Sequence, residues 1–282
     1  MKKWNYILGF LVLVSVAVWQ SALAVDNELH IVACDVGQGD ATLIIFESTQ
    51  ILIDGGPNDS VLACLARHVP YSDQEIELVV LTHPDSDHYR GLIKVFENYQ
   101  VINYLAPSLD SSNQTYQALE NIVGGGGAKV FLPKDVQDIR FGLIHLDILH
   151  PLGGREFNEK IDKNNTSTVI RLEFGEFEAI FTGDVGSSVL EDISLNIQQD
   201  NSQYVEYIKI PHHGSKNNYT ETAIKALEPS MVIISVGPDS QYGHPHKEVI
   251  DSLKNLGIDV LRTDEMGDVE IVTNGDSYWI ED

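Results

Sequence analysis

Basic residues, cysteines and linker-like sequence are what this chain has little of. Its 282 residues hold 18 Lys and Arg against 42 Asp and Glu, a formal charge of −24 at pH 7. So acidic a surface repels polyanions at long range and offers few groups to neutralise phosphates. That counts against tight non-specific DNA binding. It leaves nucleotide chemistry at a metal centre open, because bound divalent ions invert the local field. Only Cys34 and Cys64 are present. Two cysteines exclude a multi-bridge framework, and neither has partners at metal-ligand spacing, which argues against a cysteine-based metal site. A single bridge in an oxidising compartment and two buried thiols both remain compatible with one cysteine in a predicted strand and the other in a predicted helix. No low-complexity linker and no visible internal repeat divides the chain. A hydrophobic fraction of 43% with 21% charged residues is that of a folded protein, not a disordered one.

What is present begins with a distinct N-terminal segment. Lys2 and Lys3 precede an apolar run over 6–19, followed by Ser21-Ala22-Leu23-Ala24. Small residues at Ala22 and Ala24 fit a signal-peptidase site with cleavage after Ala24. An uncleaved anchor is the alternative, although the run is shorter than the roughly 20 residues of a comfortable span. Either reading puts the domain outside the cytoplasm, secreted or periplasmic in the first case and membrane-anchored in the second. Membrane contact is expected only if the segment is retained. Losing 1–24 removes two lysines and no acids, taking −24 to −26. Residues 25–282 are expected to form one domain.

Short apolar strands with interspersed helices follow. Segments 29–34, 41–46 and 51–53 read as successive strands rich in β-branched and aliphatic residues. A helix over 59–68 is stopped by Pro70. A compact strand over 77–81 delivers the chain into the segment 83–88, and the next helix carries Leu92, Val95 and Phe96 as its apolar stripe. After a strand over 101–105, a polar helix around 111–122 is expected to end in a flexible loop at the four glycines 124–127. Strands are predicted near 128–132, 143–149, 167–174, 177–182, 204–210, 231–236 and 258–262, with helices over 187–196, 220–227 and 247–255. Gly257 is placed as the stop of the last helix, and a final hairpin runs to residue 280.

The densest chemistry is His83-Pro84-Asp85-Ser86-Asp87-His88. Four potential ligands lie within six residues, directly after a buried strand. In an extended loop His83, Asp85 and Asp87 share one side, and a turn at Asp87-His88 aims the last two at a neighbouring point. One short loop can thus feed two ions, as two-metal hydrolysis requires. A solvated acidic loop is the plainer alternative. Four further segments are ambiguous singly. Thr182-Gly183-Asp184 ends an apolar strand and reads equally as a common turn. His212-His213-Gly214-Ser215 follows another strand, where a histidine can serve as ligand, proton carrier or helix cap. Tyr242-Gly243-His244-Pro245-His246 precedes a helix, and Asn164-Asn165-Thr166-Ser167 alone is a turn. All four lie at strand termini, where loops converge on one edge of a sheet.

Together with Asp35-Val36-Gly37-Gln38-Gly39-Asp40 and Leu52-Ile53-Asp54-Gly55-Gly56, these segments form an ordered set. The set closely resembles the metallo-β-lactamase-like domain at the C-terminal end of the DNA-internalisation competence protein ComEC and its stand-alone relatives, over roughly residues 28–280. The resemblance implies an α/β (α+β) chain folded as a four-layer αββα sandwich, the metallo-β-lactamase fold, with two divalent metal ions at one edge. It implies that His83 and Asp85 hold one metal, Asp87 and His88 the other, and that Asp184 bridges them. One histidine of the pair His212 and His213 completes the second site, with position after the strand favouring His213. His244 resembles the family's substrate-facing histidine. Asp40 and Asp54 resemble supporting carboxylates that orient ligands, with Asn165 beside them in that outer layer.

Two departures bear on the metal. The broader superfamily has a histidine where Asp85 stands, and many members place another where this chain has Asn164-Asn165. Replacing imidazole by oxygen shifts preference from Zn²⁺ toward Mn²⁺ or Mg²⁺ and argues against β-lactamase activity. Zn and Mn are the expected cofactors. The expected reaction is hydrolysis of a phosphoester substrate, single-stranded DNA or a nucleotide among them, by a hydroxide held between the metals. Asp87, His244 and His212 are the expected catalytic residues. The alternatives are a hydrolase of small esters, lactones or envelope-linked phosphoesters, and a non-catalytic competence-related binding module.

Overall fold

Strands that are apolar on both faces need cover on both faces, and the architecture supplies it. The computed structural model describes residues 2–22, 27–107, 113–151, 163–199 and 205–281. An antiparallel meander opens the body: β1 (Leu29–Ala33), β2 (Thr42–Phe46) and β3 (Thr49–Ile53). From β3 the sheet continues in parallel through β4 (Glu75–Val80), β5 (Gln100–Leu105) and β6 (Lys129–Phe131). The second sheet is built from β7 (Asp138–Phe141), β8 (Ile144–His150), β9 (Val169–Phe174) and β10 (Phe177–Phe181), all antiparallel. It goes on in parallel through β11 (Tyr207–Lys209), β12 (Met231–Ile234) and β13 (Asp259–Arg262). The chain then returns to the first sheet with β14 (Val269–Thr273) and β15 (Tyr278–Glu281), giving the order β15-β14-β1-β2-β3-β4-β5-β6 against β13-β12-β11-β10-β9-β8-β7.

Three cores follow from this layering. Between the sheets, Ile31, Ile44, Ile51, Leu78 and Ile271 of the first meet Leu146, Leu172, Phe174, Phe181 and Ile233 of the second. On the outer face of the first sheet, Val32, Leu43 and Leu52 pack with α2 (Ser60–His68), α3 (Ser86–Asn98) and α4 (Gln114–Gly126) through Leu65, Leu92 and Leu119. On the outer face of the second, Ile180, Ile208 and Val232 pack with α5 (Ser187–Gln199), α6 (Glu221–Leu227) and α7 (Lys247–Asn255) through Leu190, Ile224 and Leu253. This is the expected αββα sandwich. The N-terminal helix α1 (Lys2–Ala22) exposes its described side chains. Among the described residues no helix is long and apolar enough to cross a membrane. The expected cleavage point after Ala24 lies outside the described residues, as do positions 111, 112 and 204 of two predicted elements.

Several expectations change. The glycines at 124–126 are not a loop: α4 runs through Gly126 and stops at Gly127, whose φ of 83° ends it in left-handed geometry. Burial of Tyr116, Leu119 and Val123 against the sheet outweighs the roughly 1 kcal/mol that each glycine costs. β7 escapes sequence reading because it is an edge strand of four residues, with only Ile139 and Phe141 packed on the core. A one-turn helix α8 (Thr263–Met266) interrupts the passage to the final hairpin. Gly257 stops α7 as expected, at φ 74°.

Cys34, just past β1, is bonded to Cys64 on α2 with the Cα atoms 5.8 Å apart. The bridge resolves the open alternative and ties α2 to the first sheet. A polar tie runs beside it: His68 on α2 places Nε2 3.0 Å from Asp268 and Nδ1 3.3 Å from Glu270. Hydrogen bonds to Asp268 and Glu270 push the His68 imidazole up to about 9 despite its partial burial.

Two stability outcomes follow. Replacing both cysteines by serine is expected to cost about 3 kcal/mol through the 30-residue separation they close, read as a lower denaturant midpoint. For His68, a folded-state value raised above the ordinary 6.5 means that its contribution is complete below that pH and is lost as pH rises through about 9. Thermal melting between those limits should therefore fall in the wild type more steeply than in His68→Gln; parallel curves would refute the assignment.

Candidate metal centre

Parallel strands deliver every ligand candidate to one rim. β3 leads to Asp54, β4 to the 82–88 segment, β10 to Asp184 and β11 to His212 and His213. The 83–88 segment is not extended throughout. Asp85 has extended backbone and caps α3, while Asp87 and His88 lie in the first turn of that helix. Helical rotation, not strand alternation, separates the aim of Asp87 from that of Asp85. The helix start also brings Asp87's backbone oxygen against Gly39, where a Cβ would stand 2.3 Å away, so only glycine fits at that position.

Three imidazoles from two segments converge. His88 Nδ1 lies 2.7 Å from Asp54 Oδ2. His213 Nδ1 donates to the Ser235 carbonyl at 2.8 Å. Thr82 Oγ1 donates to Asp54 Oδ2 at 2.7 Å, so its oxygen accepts from His83 Nδ1 at 3.1 Å. Each ring therefore carries its proton on the outward nitrogen and turns the Nε2 lone pair inward, the arrangement by which outer groups orient metal-binding histidines. All three inward nitrogens face one atom: Asp184 Oδ2 is 3.9 Å from His83 Nε2, 3.4 Å from His88 Nε2 and 3.9 Å from His213 Nε2. Asp85 Oδ2 is 3.7 Å from His83 Nε2, and Asp87 Oδ2 is 3.3 Å from His213 Nε2. His83 Nε2 and His88 Nε2 are buried and make no hydrogen bond among the described residues. Buried nitrogens without partners, facing ionised carboxylates, fit divalent cations.

The histidine pair is separated by backbone geometry. His212 and His213 have φ of 50° and 53°, left-handed values that cost non-glycine residues of order 1–3 kcal/mol each. Gly214 continues the turn at φ 80°, and a Cβ there would stand 2.6 Å from Pro245. The turn sends His213 into the ligand cluster. His212 instead gives its backbone N–H to Asp184 Oδ1 at 3.1 Å, while its ring lies 3.1 Å from both Asn164 Nδ2 and Asn218 Oδ1.

Electrostatics in the cluster are strongly mutual. Burial works against Asp184's charge, yet His88, Lys209 and His213 hold its carboxyl well below the usual range. Burial likewise opposes ionisation of Asp87, yet the facing imidazoles of His213 and His88 together hold its carboxyl below the usual range. Asp184 and Asp54 raise His88 against the pull of burial. His244 moves the other way, down to about 4, through burial and the neighbouring His213, His212 and His246. It lines a cavity of about 360 Å³ together with Asp85, Asp87, His212 and His213.

Of the expected supporting groups, Asp54 touches His88, and Asp40 lies 3.7 Å from His88 Nε2. Asn165, in the short helical turn over 163–166, accepts from Gly186 N–H at 2.8 Å and so anchors the backbone just after Asp184. Sequence reading missed Lys209, Thr82 and Ser235. A lone lysine between Ile208 and Ile210 in an apolar strand was the signal available for the first. The other two act through a hydroxyl beside His83 and a backbone carbonyl, which leave no pattern.

Residues 34–237 match the model of the metallo-beta-lactamase superfamily. The chain belongs to that superfamily. Among curated relatives of this metallo-beta-lactamase protein, ComE operon protein 3 of Bacillus subtilis (strain 168) is 26% identical, covering 88% of this chain and 33% of that one. Competence protein ComA of Neisseria gonorrhoeae is also 26% identical, covering 86% and 32%. The chain thus spans about a third of the length of these relatives. Among solved structures, the metallo-beta-lactamase fold protein YhfI from Bacillus subtilis superposes with a TM-score of 0.57 at 12% identity, over 90% of this chain and 100% of that one. Zn(2+)-bound PqqB from Methylobacterium extorquens gives 0.51 at 10% identity, over 83% and 97%. CmlA, a diiron beta-hydroxylase from Streptomyces venezuelae, gives 0.53 at 15% identity, over 84% of this chain and 53% of that one.

Asp54 receives His88 Nδ1 and both the N–H and hydroxyl of Thr82. Asp54→Ala is therefore expected to weaken divalent-metal binding about 10–100-fold, measured by calorimetric titration; unchanged affinity would remove Asp54 from the centre. Because their carboxylate neighbours raise His88 and His213, protons compete for both rings, and metal affinity should fall as pH is lowered.

Proposed function

We propose that this chain is an exported, two-metal phosphodiesterase that acts on DNA or nucleotide-like phosphoesters. The observation that carries the reading is the single oxygen Asp184 Oδ2 facing the inward nitrogens of His83, His88 and His213. On that basis His83 and Asp85 would hold one divalent ion, Asp87, His88 and His213 would hold the second, and Asp184 would be common to both. The ligand set is rich in carboxylate oxygen, which favours Mn²⁺ over Zn²⁺. Two bound divalent ions would supply charge stabilisation for an in-line displacement and acidify water at neutral pH.

The protein's own groups supply orientation and hydrogen bonds. Asp87, ionised at working pH, accepts a hydrogen bond from the attacking water and orients it. His244, lowered to about 4, is neutral at working pH and offers an N–H to a phosphoryl oxygen. His212, on the same cavity, is the candidate to protonate the leaving oxygen.

Substrate class rests on the site and on the relatives, named for competence and recombination at 26% identity. The acidic surface, −24 formally, favours short or single-stranded substrates over tightly held duplex. It is also the feature that supports the alternative, hydrolysis of small esters or lactones. Export rests on the N-terminal Lys2-Lys3 and apolar run and on the Cys34–Cys64 bridge, which persists in oxidising compartments.

Purified protein loaded with Mn²⁺ or Zn²⁺ is expected to hydrolyse bis(p-nitrophenyl) phosphate and single-stranded DNA. Asp87→Asn should lower kcat at least about 100-fold while the folded protein is retained. Metal-loaded protein that is inert on diesters, nucleotides and DNA but cleaves carboxylic esters would transfer the assignment to the alternative.

A further inference from the structure

Lys209 is the one ammonium inside the ligand cluster among the described residues, and its surroundings are unusual. It is only 3% exposed. An ammonium has three protons to donate, and three acceptors meet it: Asp40 Oδ2 in close contact, the Gly183 carbonyl at 2.8 Å and Asp184 Oδ1 at 3.3 Å. The acceptors come from two places, Asp40 in the turn between β1 and β2 and the pair Gly183 and Asp184 just beyond the end of β10. Asp184 is thereby divided, with Oδ1 given to Lys209 and the His212 N–H, and Oδ2 left to the three imidazoles. Asp40 is equally committed, its backbone fixed by a bond from its N–H to the Asp87 carbonyl and by the Gly56 N–H on its own carbonyl.

Charge counting gives this arrangement meaning. Asp40, Asp54, Asp85, Asp87 and Asp184 with Lys209 leave four formal negative charges, which two divalent cations cancel. Isolated buried charges are expensive, and this centre must survive before metal arrives. We infer that Lys209 is a resident cation of the metal centre: it takes Asp40 out of the ligand set, turns Asp184 toward the metals, and preassembles the site in their absence. The inference rests on the metal-centre reading above. It makes Lys209 a positioning residue and Asp40 its counter-ion, although Asp40 stands 3.7 Å from His88 Nε2 and belongs to the same buried group as His88, Asp184 and His213.

A mutant cycle separates counter-ion from ligand. Lys209→Met, Asp40→Asn and the double variant, each stripped of metal, are titrated with Mn²⁺ by calorimetry and melted with and without metal. Lys209→Met removes a repelling charge and is expected to bind Mn²⁺ at least about tenfold more tightly. By linkage its metal-free form loses more melting temperature than its loaded form. Asp40→Asn should bind about tenfold more weakly. The double variant, with net charge restored, should return to within about threefold of wild type. If Asp40 is instead a ligand, the double variant stays as weak as Asp40→Asn and the inference fails. It also fails if Lys209→Met shifts metal-free and loaded melting equally. Should Lys209→Met not fold at all, the comparison of Asp40→Asn with the double variant decides alone. A wild type that binds no divalent ion overturns the metal centre itself. A wild type that binds two, with variants that do not follow the cycle, overturns only the role of Lys209.

Discussion

The outward protonation of three imidazoles is the constraint on which the rest depends. His83, His88 and His213 each give Nδ1–H to an oxygen behind them, and only for that reason do three lone pairs point at Asp184. Asp54 is central to this outer layer, since it holds His88 directly and His83 through Thr82. Without such fixed acceptors the rings could flip or change tautomer, and the cluster would be a set of histidines near acids, with no preferred occupant. Burial makes the arrangement consequential. In a low-dielectric rim each carboxylate needs a partner, and among the described residues the partners are rings, one ammonium, the Thr82 hydroxyl and backbone N–H groups.

The sandwich exists, from the site's point of view, to present strand ends. Parallel pairing places the C-terminal ends of β3 and β4 at the same rim as those of β10 and β11. The core between the sheets then fixes the two ends relative to each other at packed-interior stiffness. Rigid strands deliver the residues, and short loops aim them. Strain concentrates where aiming is hardest, at the left-handed His212 and His213 and again at Asp54 with φ 60°.

Much of this was readable in advance because ligand density is local. Four candidate ligands in six residues after an apolar strand announce a metal loop without any tertiary knowledge, and the fold's element order follows from apolar periodicity between turns. Sequence and structure part where packing overrides local preference. The glycines at 124–126 read as a loop, yet Tyr116, Leu119 and Val123 hold them in a helix. Asp87 read as part of an extended segment, yet the helix α3 already includes it. β7, an edge strand with two packed side chains, lacked enough periodicity to be seen.

By itself the sequence determined the layered α/β class, the family to which the motifs point, and the segment 83–88 as the densest source of ligands. Those properties are carried by periodicity and by spacing along the chain. Tertiary structure decided which of His212 and His213 turns inward, that Cys34 meets Cys64, that Asn165 faces Gly186, and that Lys209 sits between Asp40 and Asp184. Each of these depends on through-space geometry between segments from about 20 to 170 residues apart, where loop closure and side-chain direction are set by the packed whole. No local pattern records which neighbour a side chain will find.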